Sequence, residues 1–155
     1  MFPSHDQVAT LEGVNYLASI GADCVKVGIG PGHACTTKLM TGFSRPQFSA
    51  VLECSKSTEK GFTPTIADGG IEYAGDIAKA LCANATMVMC GHMLAGFEES
   101  PGEKVEIDGS IFKTYYGSAS AENKGAKKHV EGRKLHIPPK DRDWETCKHM
   151  STHNH

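Results

Sequence analysis

Cys35 follows the stretch Gly28-Ile29-Gly30-Pro31-Gly32-His33-Ala34 and precedes Thr36, Thr37 and Lys38. Sulfur is nucleophilic and polarisable and leaves carbon readily, so a loop thiol can make and break a covalent bond to a substrate. Gly28, Gly30 and Gly32 tolerate positive φ and let the main chain approach a ligand closely, which predicts a backbone cradle beside that sulfur. The loop comes straight after a short apolar run, Cys24-Val25-Lys26-Val27. Two further runs end the same way: Pro64-Thr65-Ile66-Ala67 leads into Asp68-Gly69-Gly70, and Met87-Val88-Met89-Cys90 leads into Gly91. Three strand-like segments thus finish in glycine, with polar or reactive residues just beyond.

The elements between them must be helices for these ends to converge. Val8, Leu11, Val14, Leu17 and Ala18 form a helical stripe over 8–21, closed by Gly21. Phe48, Val51 and Leu52 predict a second helix over 47–60, ended by Gly61, and Ile77, Ala80 and Leu81 a third over 74–83. The order α-β-α-β-α-β, with strands apolar throughout, predicts an α/β fold whose parallel strands are buried on both faces. Ligands in such folds bind at the carboxyl ends of the strands, which favours a barrel or open sheet with one composite site. After Gly96 the rhythm changes. Residues 104–113 read as a β-hairpin turning at Asp108-Gly109. Residues 118–134 are polar and lysine-rich, as in a flap over a site, and from 141 the chain reads as a disordered tail.

With 155 residues the chain is long enough for one ordinary domain, and its net charge of −2 and pI near 6.4 offer no electrostatic attraction for nucleic acid or a membrane surface. No apolar run approaches the ~20 residues needed to span a bilayer. Met1-Phe2-Pro3-Ser4-His5-Asp6 lacks the basic and apolar parts of a secretory signal, so a cytoplasmic location is expected. Of the six cysteines, Cys24 and Cys90 fall in strand-like runs and Cys54 and Cys82 in helix-like ones, with no Cys-x-x-Cys pair. Buried, reduced thiols are the expectation. Cys147, His149, His153 and His155 include zinc-ligand types, but without paired spacing or a folded frame they read as part of the tail.

Three ordered motifs go further: Gly-Ile-Gly-Pro-Gly-x-x-Cys-Thr-Thr, Ile-Ala-Asp-Gly-Gly-Ile, and Met-Val-Met-x-Gly-x-x-x-Ala-Gly-x-Glu-Glu-Ser-Pro-Gly. Together with Tyr-Tyr-Gly-Ser-Ala-Ser, Lys-Gly-x-Lys-Lys and Val-Glu-Gly-Arg-Lys, they resemble the GMP reductase branch of the IMP dehydrogenase/GMP reductase family, in its Firmicutes-like form. The resemblance implies a TIM barrel, an eightfold β/α closure that needs ~250 residues. This chain would supply a partial barrel: helix 5 through strand 8, plus the flap hairpin. Residues 1–140 would form the partial catalytic domain, with the flap at 97–140, and 141–155 the tail.

The same resemblance implies the chemistry. Cys35 would attack C2 of GMP, ammonia would leave, and NADPH would return a hydride to release IMP. Thr37 and Glu131 would manage protons on the departing amine, which leaves poorly unless protonated. Asp68 would hold the ribose hydroxyls, Gly70 and Gly91 the 5′-phosphate, and Ser118 and Ala119 the purine. The cofactor region would comprise Thr65, Ile66, Ala67, Asp68, Gly69, Gly70, Ile71 and Val88, although no Gly-x-Gly-x-x-Gly fingerprint marks it. Carbonyls of Gly30, Gly32 and Cys35 would coordinate K⁺. His33 and His92 depart from the small residues usual in the wider family. IMP dehydrogenase, the rival reading, needs an Arg-Tyr pair in the flap, whereas Arg133 is followed here by Lys134. The implied partners are GMP and IMP, and either a homo-oligomer (tetramers are common among relatives) or a complementing barrel half. A noncatalytic fragment is the alternative from another class.

Overall fold

The computed structural model describes residues 7–57 and 61–117, and the backbone of 134–137. Four parallel strands form the first sheet in the order β1 (Gln7–Val8), β2 (Val25–Val27), β3 (Thr65–Asp68), β4 (Met87–Met89). The register sets Val8 beside Val27, Val27 beside Ala67, and Ala67 beside Val88. Between them run α1 (Leu11–Ser19), α2 (Thr37–Thr41), α3 (Gln47–Cys54) and α4 (Ala74–Cys82), and α5 (His92–Ala95) follows β4. The chain is therefore an α/β protein with a parallel sheet, and the carboxyl ends of all four strands lie on one edge.

Helix α1 starts three residues later than the apolar stripe predicts. Val8 belongs to β1, and the Thr10 hydroxyl caps the helix by accepting from the Gly13 N–H at 3.2 Å. Helix α3 stops at Cys54 rather than Lys60, because Ser57 turns inward, 3% exposed, and donates to Asn15 Oδ1 at 2.6 Å. The core lies between the sheet and α1, α3 and α4, where Val14, Val25, Val27, Val51, Cys54 and Ala67 are fully buried.

Burial on both faces of the strands is corrected. Val25, Val27, Thr65 and Ala67 face the helices and are buried, while Lys26, Ile66 and Asp68 on the opposite face are only partly covered. Met87 and Met89 are 47% and 41% exposed. Apolar character alone does not report which face of a strand has a partner. The cysteine expectation needs a similar correction. None of the five described cysteines is in a disulfide and Cys54 is buried, but Cys82 is exposed and Cys24 and Cys90 are half-buried.

The hairpin forms as expected, from β5 (Lys104–Ile107) and β6 (Ser110–Tyr116). Asp108 and Gly109 both take positive φ, 51° and 76°, as the tight turn requires. A third antiparallel strand, β7 (Lys134–Ile137), pairs with β6 and was not anticipated. Lys113 anchors this sheet: 2% exposed, it donates to the carbonyls of Phe97 at 2.5 Å, Glu98 at 3.2 Å and Ser100. The expected flap segment 118–133 and the tail from 141, with Glu131, Ser118, Ala119 and the Cys147–His155 cluster, lie outside the described residues.

Candidate active site

The exits of β2 and β3 are packed so tightly that only glycine fits between them. Gly28 takes φ of +148°, and a Cβ there would lie 2.3 Å from the Asp68 carbonyl oxygen. Gln47, at the start of α3, stitches the two exits together. Its Nε2 donates to the Val27 carbonyl at 2.8 Å and the Asp68 carbonyl at 3.2 Å, adding a side-chain rung where the ladder ends. Gly69 completes the packing: its φ is +91°, and a Cβ would stand 3.0 Å from Pro31 Cγ and 3.1 Å from the Gly32 nitrogen.

The glycine loop then turns back on itself, with the Cys35 N–H donating to the Gly32 carbonyl at 3.0 Å. That turn presents the Cys35 thiol, which reaches Thr37 Oγ1 at 3.3 Å on the first residue of α2. Across from it, the Asp68 carboxylate accepts from Lys26 Nζ at 2.9 Å and from Gln7 Nε2, both on Oδ2. His33 Nδ1 lies 3.0 Å from Glu72 Oε1, and its ring stacks on His92 with centroids 4.0 Å apart and an interplanar angle of 16°. The Tyr115 ring stands 6.0 Å from that of His92, and a Cβ on Gly91 would meet Tyr115 Oη at 2.7 Å. Burial, and secondarily the charge of Asp68, hold the Tyr115 hydroxyl above its usual range.

These groups enclose a cavity of about 720 Å³, within the usual size of a small-molecule site. Cys35, Thr37, Asp68, Gly70 and Gly91 all line it, as do Gly30, Gly32, Gly69 and Ile71. Thr65, Ile66, Ala67 and Val88 do not. Thr65 and Ala67 are 1% and 0% exposed and Val88 packs on the core, so these three belong to the helix-facing side of the sheet. Glu131, Ser118 and Ala119 fall outside the described residues. Gln7, Lys26, Met89, Cys90 and Tyr115 line the cavity without having been singled out in the sequence. Lys26 did carry a signal, as a lysine interrupting an apolar strand.

Among the described residues no group of three or more His, Cys, Asp or Glu side chains is placed to hold a metal ion. Gly30, Gly32 and Cys35, whose carbonyls are expected to hold K⁺, all line the cavity. Gly32 already accepts one hydrogen bond, but a carbonyl oxygen has a second lone pair to offer. No helix among the described residues is long and apolar enough to cross a membrane.

A thiol, a carboxylate and glycine turns gathered at the carboxyl ends of a parallel sheet define an α/β protein with a candidate ligand site on that edge. The IMP dehydrogenase / GMP reductase domain matches residues 5–142, and the chain belongs to that family. It is 54% identical over 145 residues to the GMP reductase of Albidiferax ferrireducens, covering 92% of this chain and 44% of that protein. It is 50% identical over 151 residues to the GMP reductase of Lactobacillus acidophilus, covering 96% and 45%. Against the GMP reductase of Bacillus subtilis the identity is 52% over 135 residues, covering 86% and 40%. The chain spans less than half the length of these curated relatives.

Proposed function

We propose that this chain carries the nucleophile and nucleotide-binding portion of a GMP reductase-type centre, which deaminates GMP reductively to IMP and ammonia. Residues 1–140 then correspond to the part of a TIM barrel from helix 5 through strand 8 with its flap hairpin. The observation that carries this reading is the Cys35 thiol 3.3 Å from the Thr37 hydroxyl, on the wall of a cavity shared with Asp68. The relatives bearing the name GMP reductase support the same assignment.

In this reading the Cys35 thiolate adds to C2 of the purine, and the exocyclic amine leaves as ammonia, protonated through Thr37 and Glu131. A thioimidate then links the sulfur to C2. NADPH, when bound, supplies the hydride that C2 accepts, and the C–S bond breaks to free IMP and restore the thiolate. Overall, GMP, NADPH and two protons give IMP, NADP⁺ and ammonium. Asp68 holds the ribose hydroxyls, Gly70 and Gly91 the phosphate, and Ser118 and Ala119 the base. Of the residues expected near the nicotinamide cofactor, Asp68, Gly69, Gly70 and Ile71 offer surface to the cavity and are the ones we retain for contact. K⁺ on the carbonyls of Gly30, Gly32 and Cys35 would stiffen the glycine loop.

Intact-mass measurement of the chain mixed with GMP tests the central step. The expected species is the chain plus GMP less ammonia, absent from Cys35→Ala. A cooperatively folded chain that binds GMP but forms no adduct overturns covalent catalysis. The exposed face of β4 favours a second element of the reading: the chain acts within a homo-oligomer or beside a complementing barrel half rather than alone.

A further inference from the structure

Lys26 is the middle residue of β2, between Val25 and Val27, which are 1% and 0% exposed on the helix-facing side. Side chains alternate along a strand, so Lys26 is directed to the opposite face, where it lines the cavity. An ammonium held there loses solvation unless a partner compensates. The partner is Asp68. Lys26 pairs in register with Ile66, and Asp68 stands two residues further along the same face of β3, within reach of an extended lysine. The ion pair is 2.9 Å long, with 25% and 16% of the two side chains exposed. Gln7, beside Lys26 on β1, donates to the same oxygen, Oδ2. Among the described residues both donors that reach this carboxylate converge on Oδ2, so the plane of the group is set and Oδ1 remains as an acceptor for a ligand.

We infer that Lys26 is a positioning residue that orients the Asp68 carboxylate for a vicinal diol and so makes the site select ribonucleotides over nucleotides lacking those hydroxyls. The inference rests on the proposed role of Asp68 as the hydroxyl acceptor. A carboxylate free to rotate gives up part of its hydrogen-bonding advantage to entropy, whereas a fixed one delivers it on binding. A purely structural lysine would instead raise stability without altering which sugar is preferred.

The test is calorimetric binding of GMP and 2′,3′-dideoxy-GMP to the purified chain and to Lys26→Met, Lys26→Arg and Asp68→Ala. Charge-assisted hydrogen bonds to the diol predict that the unaltered chain prefers GMP by about 10-fold or more. Lys26→Met should bring that ratio close to that of Asp68→Ala, and Lys26→Arg should restore most of it at an unchanged melting temperature. If Lys26→Met does not fold, Gln7→Leu removes the other donor on Oδ2 and should cut the ratio in the same direction. A ratio kept in Lys26→Met and Gln7→Leu but lost in Asp68→Ala overturns the role of Lys26 and leaves that of Asp68 standing. If the unaltered chain binds both nucleotides equally, the reading of Asp68 falls and the inference falls with it.

Discussion

Cys35 and Cys54 carry the same sulfur into opposite surroundings. Cys54 is fully buried in the core, and desolvation, reinforced by the charge of Glu53, pushes its thiol up to about 11. At neutral pH it is therefore protonated and shielded, a small apolar residue rather than a nucleophile. Alkylation by iodoacetamide at neutral pH should spare Cys54 in the folded chain and modify it after unfolding in urea; labelling of the native protein at Cys54 would contradict the burial. The linkage has a sign. Because the folded chain holds this proton more tightly than the unfolded one, its contribution is whole below the ordinary thiol value of 9.0 and is lost as pH rises towards about 11. Urea midpoints should therefore fall over that window, less steeply for Cys54→Ala. Cys35 sits half-buried at the cavity, and in the proposed mechanism its chemistry depends on its neighbour. Replacing Thr37 by Val keeps the shape of the side chain and removes the hydroxyl 3.3 Å from the sulfur. Under the proposed mechanism ammonia departure should slow by roughly 10²–10⁴-fold, read as the rate of adduct formation, with Thr37→Ser retaining most of it.

At the scale of elements, the site depends on strand exits held in contact. Gln47→Leu would leave the carbonyls of Val27 and Asp68 without the amide that reaches both. The expected cost is about 1–3 kcal/mol, seen as a lower urea midpoint with an unchanged slope. Asp76 does comparable work at the start of α4: its Oδ2 accepts from the Tyr73 N–H at 3.1 Å and the Glu72 N–H at 3.2 Å, which hold the carboxyl below its ordinary range. Asp76→Ala should destabilise by roughly 1 kcal/mol near neutral pH. That difference persists above the usual carboxylate pKa and disappears as pH falls through the lowered folded value, so the stability curves of parent and variant should meet in acid. The glycine-ended strands and the Asp108-Gly109 turn were legible because each needs a backbone conformation that few residues tolerate. Val8 was misplaced because a helical stripe does not distinguish its first residue from a strand residue packing on the same core. The β7 strand, Lys-Leu-His-Ile, alternates but sits beside a lysine-rich run, and only its pairing with β6 identifies it. Lys26 was passed over in the site because its partner is more than forty positions away, a distance bridged by sheet register alone.

For the whole molecule, the question is what covers the sheet on the side away from the helices. Val88 packs on the core while Met87 and Met89 are 47% and 41% exposed, and among the described residues β4 has a hydrogen-bonded neighbour only in β3. A second apolar group, Leu39, Met40 and Phe43, is exposed on α2 and its exit. Unpaired edges and contiguous apolar surface are rarely left open in proteins that remain monomeric. The matched relatives are more than twice as long as the aligned portion of this chain, and under the proposed partial-barrel reading further polypeptide covers the exposed face. The 155-residue chain should accordingly elute from a sizing column, with light-scattering detection, as a species heavier than one copy or as aggregate, with little turnover. Met87→Lys combined with Met89→Glu should shift it towards monomer by burdening the open face with charge, while Leu39→Glu would test the second patch separately. A monodisperse monomer that oxidises NADPH only when GMP is present would refute the need for any partner, because it would place a complete catalytic centre on one copy of this sheet.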